Sequence, residues 1–226
     1  MTIFDQLIIG KIASHDDFGA SVKERETPPP KKKTIKETLP FSNATYDFSS
    51  INGETYWEER ELSYVFEIIA TTPEELEEKK TAFANWVMNV ANEEIHDPYI
   101  DGYHFLGTFD SMDYDDEESA DKSTITVNFT AYPYKIANDE KNCVVAVSSG
   151  STVTLSLVNN SGHRVQLAVT TDTPIKFMLG DTAYSVPVGT VADSSLMLPV
   201  GSNSVIVQNE SARAATVSFA FREEVF

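Results

Sequence analysis

Apolar and polar residues alternate with a period of two in two long segments of the first half of the chain. The even positions of residues 61–70 are apolar, and within residues 123–132 the odd positions from 125 to 131 repeat the pattern. A period of two predicts strands with one buried face. Residues 103–110 are predicted to pair with the second segment as a hairpin. The predicted buried positions are Leu62, Tyr64, Phe66, Ile68, Ile125, Val127, Phe129 and Ala131.

A helical pattern lies between these two strands. Thr72-Pro73-Glu74-Glu75 has the form of a capping box with proline at the first helical position. Glu75 and Lys79 are one turn apart, where opposite charges support a helix. Apolar residues recur at helical spacing, at Leu76, Phe83, Trp86, Val87 and Val90. We expect a helix over residues 73–91 that packs Trp86 on a sheet.

The second part of the chain has short apolar runs about every ten residues, separated by turn-forming residues. This spacing is typical of a β-sandwich. The predicted strands are residues 144–147, 152–158, 165–169, 175–179, 183–186, 195–198, 204–207 and 214–221. The fold class is therefore an α+β N-terminal domain, of antiparallel strands with one main helix, followed by an all-β sandwich.

Charge divides the chain in the same place. Residues 1–141 hold 29 acidic and 13 basic side chains, whereas residues 142–226 hold 6 and 4. A change of this kind indicates two domains. We assign residues 1–138 to the first and 139–226 to the second, with residues 138–142 as the linker.

The net charge of −18 disfavours a free nucleic-acid binder, which needs a basic face, and disfavours anionic membranes for the same reason. The single cysteine, Cys143, cannot form an internal disulfide. The first residues lack a secretory signal pattern, and no apolar run is long enough to span a bilayer. We therefore expect a protein that stays in the compartment of its synthesis.

An extended arm is predicted over residues 21–36. Its middle is three prolines followed by three lysines: Pro28, Pro29, Pro30, Lys31, Lys32 and Lys33. Consecutive prolines fix φ and remove backbone donors, so the segment is extended and cannot join the interior of a sheet. Either it is an exposed loop, or it reaches a neighbouring subunit.

Motifs that carry chemistry are missing from the sequence. The histidines, His15, His96, His104 and His163, form no metallohydrolase pattern, and no nucleophile elbow or phosphate-binding loop is present. Six carboxylates in residues 113–121 do not fit a calcium loop, because no glycine stands at the sixth position and Thr124 occupies the twelfth. We predict no catalytic residues, no cofactor, no metal and no enzymatic activity.

Several stretches share their order with a known family. They are Asp17-Phe18-Gly19, residues 48–60 with Gly53, Tyr56 and Arg60, the helix start at Thr72, Asp97 ahead of a tyrosine-containing segment, Tyr132-Pro133-Tyr134, and residues 198–203 and 221–226 at the C-terminal end. In this order they resemble the distal tail protein (Dit) family of long-tailed bacteriophages.

This resemblance implies a structural protein of a phage or prophage tail. It implies a hexameric ring at the distal end of the tail, assembled in the bacterial host cytoplasm and joining the tail tube to the baseplate, the hub or tip protein and the receptor-binding proteins. The second domain would be galectin-like, and residues 28–33 would lie between subunits. Acidic residues lining the ring would repel DNA that passes through it.

Two other functions stay open at this point. The β-sandwich could act as a carbohydrate-binding adhesion module, for which Tyr184 is the candidate aromatic with a polar tip. A hydrolase acting on cell-wall sugar or peptide is the weakest hypothesis, because only the abundance of carboxylates supports it.

Overall fold

The computed structural model describes residues 5–38, 40–41, 43–50, 55–116 and 121–226. The chain divides into two compact units, which we call unit 1 (Met1–Lys135 with Phe226) and unit 2 (Ile136–Val225). The domain bounds 1–138 and 139–226 stay predictions, because compactness alone does not show where independently folding parts begin. Within the described residues, no helix combines the length and apolar character that a membrane span requires.

Unit 1 is built around one antiparallel sheet. The strands follow the order β2-β1-β7-β8-β9-β6-β3, and β4 and β5 form a separate pair. The elements are β1 (Ile8–Ile9), β2 (Ile12–Ala13), α1 (Ser14–Phe18), β3 (Ala20–Glu26), β4 (Lys36–Thr38), β5 (Thr45–Asp47), β6 (Arg60–Ile69), α2 (Pro73–Val87), β7 (Glu93–His96), β8 (Tyr103–Asp116) and β9 (Lys122–Ala131).

The alternating segments form the centre of this sheet. β6 pairs with β9 along its whole length, from Arg60↔Ala131 to Ile69↔Lys122, and β8 pairs with β9 as the predicted hairpin. The even positions of β6 and the odd positions of β9 are at most 4% exposed. The prediction of their buried faces is confirmed. β8 runs on to Asp116, so Asp113, Asp115 and Asp116 of the acidic stretch 113–121 belong to a strand.

The helix α2 covers this sheet and begins as predicted. The Thr72 side chain accepts a hydrogen bond from the Glu75 backbone N–H at 3.2 Å, and Lys79 Nζ lies 2.8 Å from Glu75 Oε1. The helix predicted over residues 73–91 is too long, since α2 ends at Val87. Val90 N–H donates to the Val87 carbonyl in a tighter turn, and Asn92 has φ of 56°, which a helix cannot accommodate.

The aromatic packing under α2 differs from the expectation for Trp86. Phe83 is fully buried and contacts Phe66 of β6 at 4.9 Å between ring centroids. Trp86 is half-buried and stacks on Phe18 of α1 at 5.1 Å. The larger ring therefore joins the two helices, and the smaller one contacts the sheet.

Unit 2 contains two four-stranded antiparallel sheets, β11-β20-β14-β17 and β12-β19-β15-β16. Phe177 of β15 contacts Phe219 of β20 at 5.6 Å between centroids, so one hydrophobic cluster fills the space between the sheets. The elements are β10 (Lys135–Ala137), β11 (Lys141–Val147), β12 (Thr152–Asn159), β13 (Val165–Gln166), β14 (Ala168–Thr171), β15 (Ile175–Leu179), β16 (Thr182–Val186), β17 (Gly189–Val191), β18 (Met197–Leu198), β19 (Gly201–Gln208), β20 (Ala215–Phe221) and β21 (Glu224–Val225).

Three details of unit 2 correct the sequence prediction. The proposed linker 138–142 overlaps β11, which begins at Lys141. The segment 165–169 is divided into β13 and β14, because Leu167 N–H donates to the Leu196 carbonyl between them. β17 was missed, since a run of Gly, Thr and Val has little apolar signal.

Two buried asparagines close turns at the ends of strands in unit 2. Asn159 and Asn209 are both 0% exposed. Asn159 Nδ2 donates to the carbonyls of Leu198 and His163, and Asn209 Nδ2 donates to those of Val147 and Arg213. In each case the side-chain oxygen accepts from the N–H two residues on, which is an Asx turn. The Asn-x-Ser sequence is shared by both turns.

Candidate functional site

Residues 27–59 leave the sheet of unit 1 between β3 and β6, and we call them the ribbon. Within it, β4 pairs with β5, and the backbones of Lys32 and Trp57 form an isolated antiparallel β-bridge. Lys33 N–H donates to the Tyr56 carbonyl at 2.9 Å, and Glu58 N–H donates to the Lys31 carbonyl at 2.8 Å. The ribbon therefore contains antiparallel pairing at two places, between β4 and β5 and near Lys32 and Trp57. Its residues 39, 42 and 51–54, which include the predicted family position Gly53, lie outside the described residues.

The predicted arm over residues 21–36 is corrected at its start. β3 is part of the sheet and pairs with β6 from Ala20↔Ile68 to Glu26↔Ser63. Ala20 and Val22 are buried, so apolar contact holds this half of the predicted arm in place. Only the second half, which contains the six candidate residues from Pro28 to Lys33, lies on the ribbon.

Arg60 fixes the place where the ribbon leaves the sheet. Its guanidinium donates to the Pro28 carbonyl from Nε at 3.0 Å and from Nη2 at 2.6 Å. It also donates at 3.3 Å to the carbonyls of Thr27 and Pro133. The side chain is 4% exposed and lies 5.0 Å from the centre of the Phe105 ring. Burial lowers the pKa of Arg60, yet an arginine keeps its proton in proteins.

The ribbon has almost no core of its own. Among its described residues after Pro30, only Ser49 is buried and only Trp57 is half-buried. Its large exposed apolar side chains are Ile35, Phe41, Tyr46, Phe48 and Tyr56, with Phe41 fully exposed at 110%. Two-stranded ribbons are marginal in water, and clustered exposed apolar residues mark interaction surfaces. The ribbon therefore has the properties of a segment that is covered by a partner.

Four lysines lie close together in the first part of the ribbon. Lys31, Lys32 and Lys33 are consecutive and exposed, and Lys36 follows them. Most other charged side chains of unit 1 are acidic. The ribbon as a whole is not basic, because five acidic residues accompany these four lysines, so the positive charge is confined to residues 31–36.

Asp17, Phe18 and Gly19 form the end of α1. Asp17 Oδ2 accepts from the Ala13 N–H at 2.8 Å, and Phe18 packs on Phe83 and Trp86. Gly19 has φ of 70°, so a residue without Cβ is favoured there. This motif docks α1 on α2 and has a structural role.

Asp97 is a further buried anchor, 3% exposed, in the loop after β7. Its carboxylate accepts from Arg25 Nε at 3.1 and 3.2 Å and from the Tyr99 N–H at 3.0 Å. The Arg25 guanidinium lies 4.2 Å from the centre of the Tyr99 ring. The described family positions are thus distributed over three structural anchors and do not form a single pocket.

The candidate for sugar binding in unit 2 packs against the core. Tyr184 is half-buried and stacks on Phe177 at 5.0 Å with an interplanar angle of 17°. A cleft of about 500 Å³ lies nearby, and the described residues that line it include no aromatic ring. Lys176 and Glu210 line it and form an ion pair of 2.8 Å. The cleft thus offers no stacking platform for a pyranose.

Three possible metal ligands lie together in unit 1. Glu94, His96 and His104 each present one donor atom, and these atoms lie within 4.8 Å of one another. They form no motif along the sequence, because His104 is on the neighbouring strand. Only the register of β7 and β8 brings it beside Glu94 and His96.

Comparisons with known proteins address the fold. No family model matches the chain. No curated protein matches it in sequence. Among solved structures, the Dit protein of phage SPP1 superposes with a TM-score of 0.67 at 14% identity, over 96% of this chain and 98% of that one. That protein is described as a paradigm of the hub adsorption apparatus in phages that infect Gram-positive bacteria.

Two structures of the activated phage P2 baseplate also match, with TM-scores of 0.42 and 0.47 at 8% identity. They cover 92% of both chains in the first case, and 96% of this chain and 97% of the other in the second. The fold assignment rests on the SPP1 protein, whose match spans nearly all of both chains. The resemblance predicted from the sequence is confirmed in the fold: this chain has the fold of a phage Dit hub protein.

Proposed function

We propose that this chain is a structural protein of a phage tail that forms the ring-shaped hub at the distal end, between the tail tube and the baseplate or tip. The observation that carries this proposal is the SPP1 Dit fold, which extends over 96% of the chain. In this proposal the protein is a virion component, assembled in the bacterial host cytoplasm, and has no catalytic role. Its acidic residues face the DNA channel in part and repel phosphates.

The ribbon makes the contact between neighbouring subunits in this ring. A closed ring requires a heterologous interface, in which two different surfaces of the subunit meet. The ribbon supplies one of these surfaces, because it exposes Phe41, Tyr46 and Phe48 together with a band of lysines. The acidic body of the next subunit supplies the other. Arg60 fixes the direction in which the ribbon leaves the sheet, because its guanidinium binds the Pro28 carbonyl.

Light scattering and negative-stain microscopy test the ring directly. We expect six-subunit rings from the full chain, either alone or after mixing with the tail tube protein of the same phage. A chain that stays monomeric under both conditions contradicts the proposal.

A shortened chain tests the role of the ribbon. Lys33 and Tyr56 lie opposite one another, so residues 34–55 can be replaced with Asn-Gly, which forms a two-residue turn. This change retains Trp57 and the Arg60 anchor. We expect a folded monomer, and intact rings from this variant would refute the interface.

Point variants separate the apolar contacts from the change in length. The triple variant Phe41→Ser, Tyr46→Ser and Phe48→Ser is expected to weaken assembly of the hexamer at least about tenfold, since each of these aromatic side chains is desolvated in the assembly. Val188→Ser with Val200→Ser is the control, because these side chains are 60% and 54% exposed in unit 2. We expect the control to form rings like the parent chain.

Unit 2 is proposed to carry the outward contacts with receptor-binding or baseplate proteins, as a galectin-like domain. The carbohydrate-binding alternative is left without support by the position of Tyr184 and by the lining of the cleft. Binding of the full chain to host glycans, lost on Tyr184→Ala, would restore it.

A further inference from the structure

We propose that Glu94, His96 and His104 form a binding site for one divalent transition-metal ion, with Zn²⁺ as the ion that the donor set fits best. The proposal is independent of the ring hypothesis, because it rests on side chains of β7 and β8 alone.

The sheet register places the three donors on one face. β7 and β8 are antiparallel, with Glu93 opposite Gly107 and Ile95 opposite Phe105. The next position along this register sets His96 opposite His104. Residues two apart on a strand share a face, so Glu94 lies on the same side as His96. Ile95 and Phe105 point the other way, into the core of unit 1.

The distances between the donor atoms suit a metal ion. Glu94 Oε2 lies 3.3 Å from His96 Nε2, and Glu94 Oε1 lies 3.8 Å from His104 Nε2. Metal–ligand bonds of about 2.0–2.2 Å at tetrahedral angles hold donors roughly 3.4 Å apart. The two imidazole rings are 4.9 Å apart between centroids. Small rotations of the His96 and Glu94 side chains therefore complete the site.

The scaffold is rigid where a ligand must be held and open where an ion must enter. The His104 side chain is 4% exposed, whereas those of His96 and Glu94 are 31% and 59% exposed. β7 is hydrogen-bonded to β1 on one side, where His96 pairs with Ile8, and to β8 on the other. Solvent can supply the fourth ligand on the Glu94 side.

The chemistry of the donors selects the class of metal. Two imidazoles and one carboxylate suit zinc and its neighbours in the first transition row, whereas Ca²⁺ and Mg²⁺ prefer oxygen ligands alone. A bound ion would clamp β7 to β8 and neutralise charge at this part of an acidic surface.

Calorimetric titration of the full, chelator-treated chain with Zn²⁺ tests the site, and Co²⁺ serves as a spectroscopic probe. We expect one ion per chain, visible d–d absorption of tetrahedral Co²⁺, and no competition by Ca²⁺ or Mg²⁺. At Zn²⁺ 100-fold above Kd, we expect the Tm of the unit 1 transition to rise by about 10 °C.

Glu94→Gln and His96→Asn are each expected to weaken Zn²⁺ binding at least about tenfold. Both side chains are largely or partly exposed, so these variants are expected to fold, which circular dichroism checks. His163→Asn is the matched control: His163 Nε2 lies 2.9 Å from Glu224 Oε2, but this pair joins no three-residue metal group among the described residues. Failure of the parent chain to bind Zn²⁺, or undiminished binding by the Glu94→Gln/His96→Asn double variant, overturns the proposal.

Discussion

Replacing Arg60 with methionine removes the anchor of the ribbon while keeping much of the apolar stem. The guanidinium donates to three backbone carbonyls, of which Pro28 receives the two shortest contacts, at 2.6 and 3.0 Å. The carbonyls of Thr27 and Pro133 receive longer ones, at 3.3 Å. Methionine can fill the space beside Phe105 and can contact its ring through sulfur. The loss is therefore chiefly one of hydrogen bonds.

The magnitude follows from the quality of these contacts. A hydrogen bond from a charged donor contributes about 1.5–3 kcal/mol, and the two contacts to Pro28 share one oxygen. The longer contacts add less, and the folded chain no longer has to bury a charged group, which offsets part of the loss. We expect Arg60→Met to lower the free energy of unfolding of unit 1 by about 2–3 kcal/mol. Arg60→Lys should lower this free energy by about half as much, because lysine keeps a charged donor but cannot reproduce the planar set of donors of a guanidinium.

Urea denaturation followed by tryptophan fluorescence measures this loss in unit 1 alone, since both tryptophans, Trp57 and Trp86, belong to it. With m of roughly 1.5–2 kcal/mol per M, the midpoint should fall by about 1–2 M. Trypsin should also cleave at Lys31, Lys32 and Lys33 several-fold faster, because the base of the ribbon opens. Arg222→Met is the control: this exposed arginine donates to two backbone carbonyls in unit 2. An Arg60→Met midpoint within the error of the parent would refute the anchoring argument.

Two further perturbations act on single elements. Hydrogen bonds from Lys79 and Thr71 lower the pKa of Glu75 to about 2 from its ordinary 4.5, so its stabilising effect is present above pH 4.5 and is lost as the pH falls toward 2. The stability difference between the parent and Glu75→Gln, measured by urea denaturation at several pH values, should vanish over that range; a constant difference would contradict it. Asn209→Ala should destabilise unit 2 by about 2–3 kcal/mol, because the Val147 and Arg213 carbonyls lose their donor. Thermal unfolding measures this, with the exposed Asn160→Ala as the control, and equal Tm values would exclude the role of Asn209.

Local patterns were sufficient where one face of an element is buried over many residues. β6 and β9 alternate for ten residues each, and the start of α2 carries its own cap, so their positions and buried faces could be predicted. The end of α2 could not be predicted, because it depends on a left-handed residue at Asn92 rather than on an apolar period.

The ribbon shows the limit of such patterns. Its prolines and lysines indicated an extended segment, but its bounds depend on pairing between residues far apart, such as Lys32 with Trp57. Its described large apolar side chains are mostly exposed, so they do not alternate with polar positions as those of β6 and β9 do. The sequence consequently placed the arm too early, over residues that belong to β3.

The sequence by itself determined the classes of element, the acidic first part with its single main helix, the strand-rich second part and the resemblance to the Dit family. Hydrophobic periodicity and capping are local properties, and local properties can be read along the chain. Only the tertiary structure decided the strand order, the Arg60 anchor and the meeting of Glu94 and His96 with His104. These depend on register between strands, and a shift of one residue would move every side chain to the opposite face.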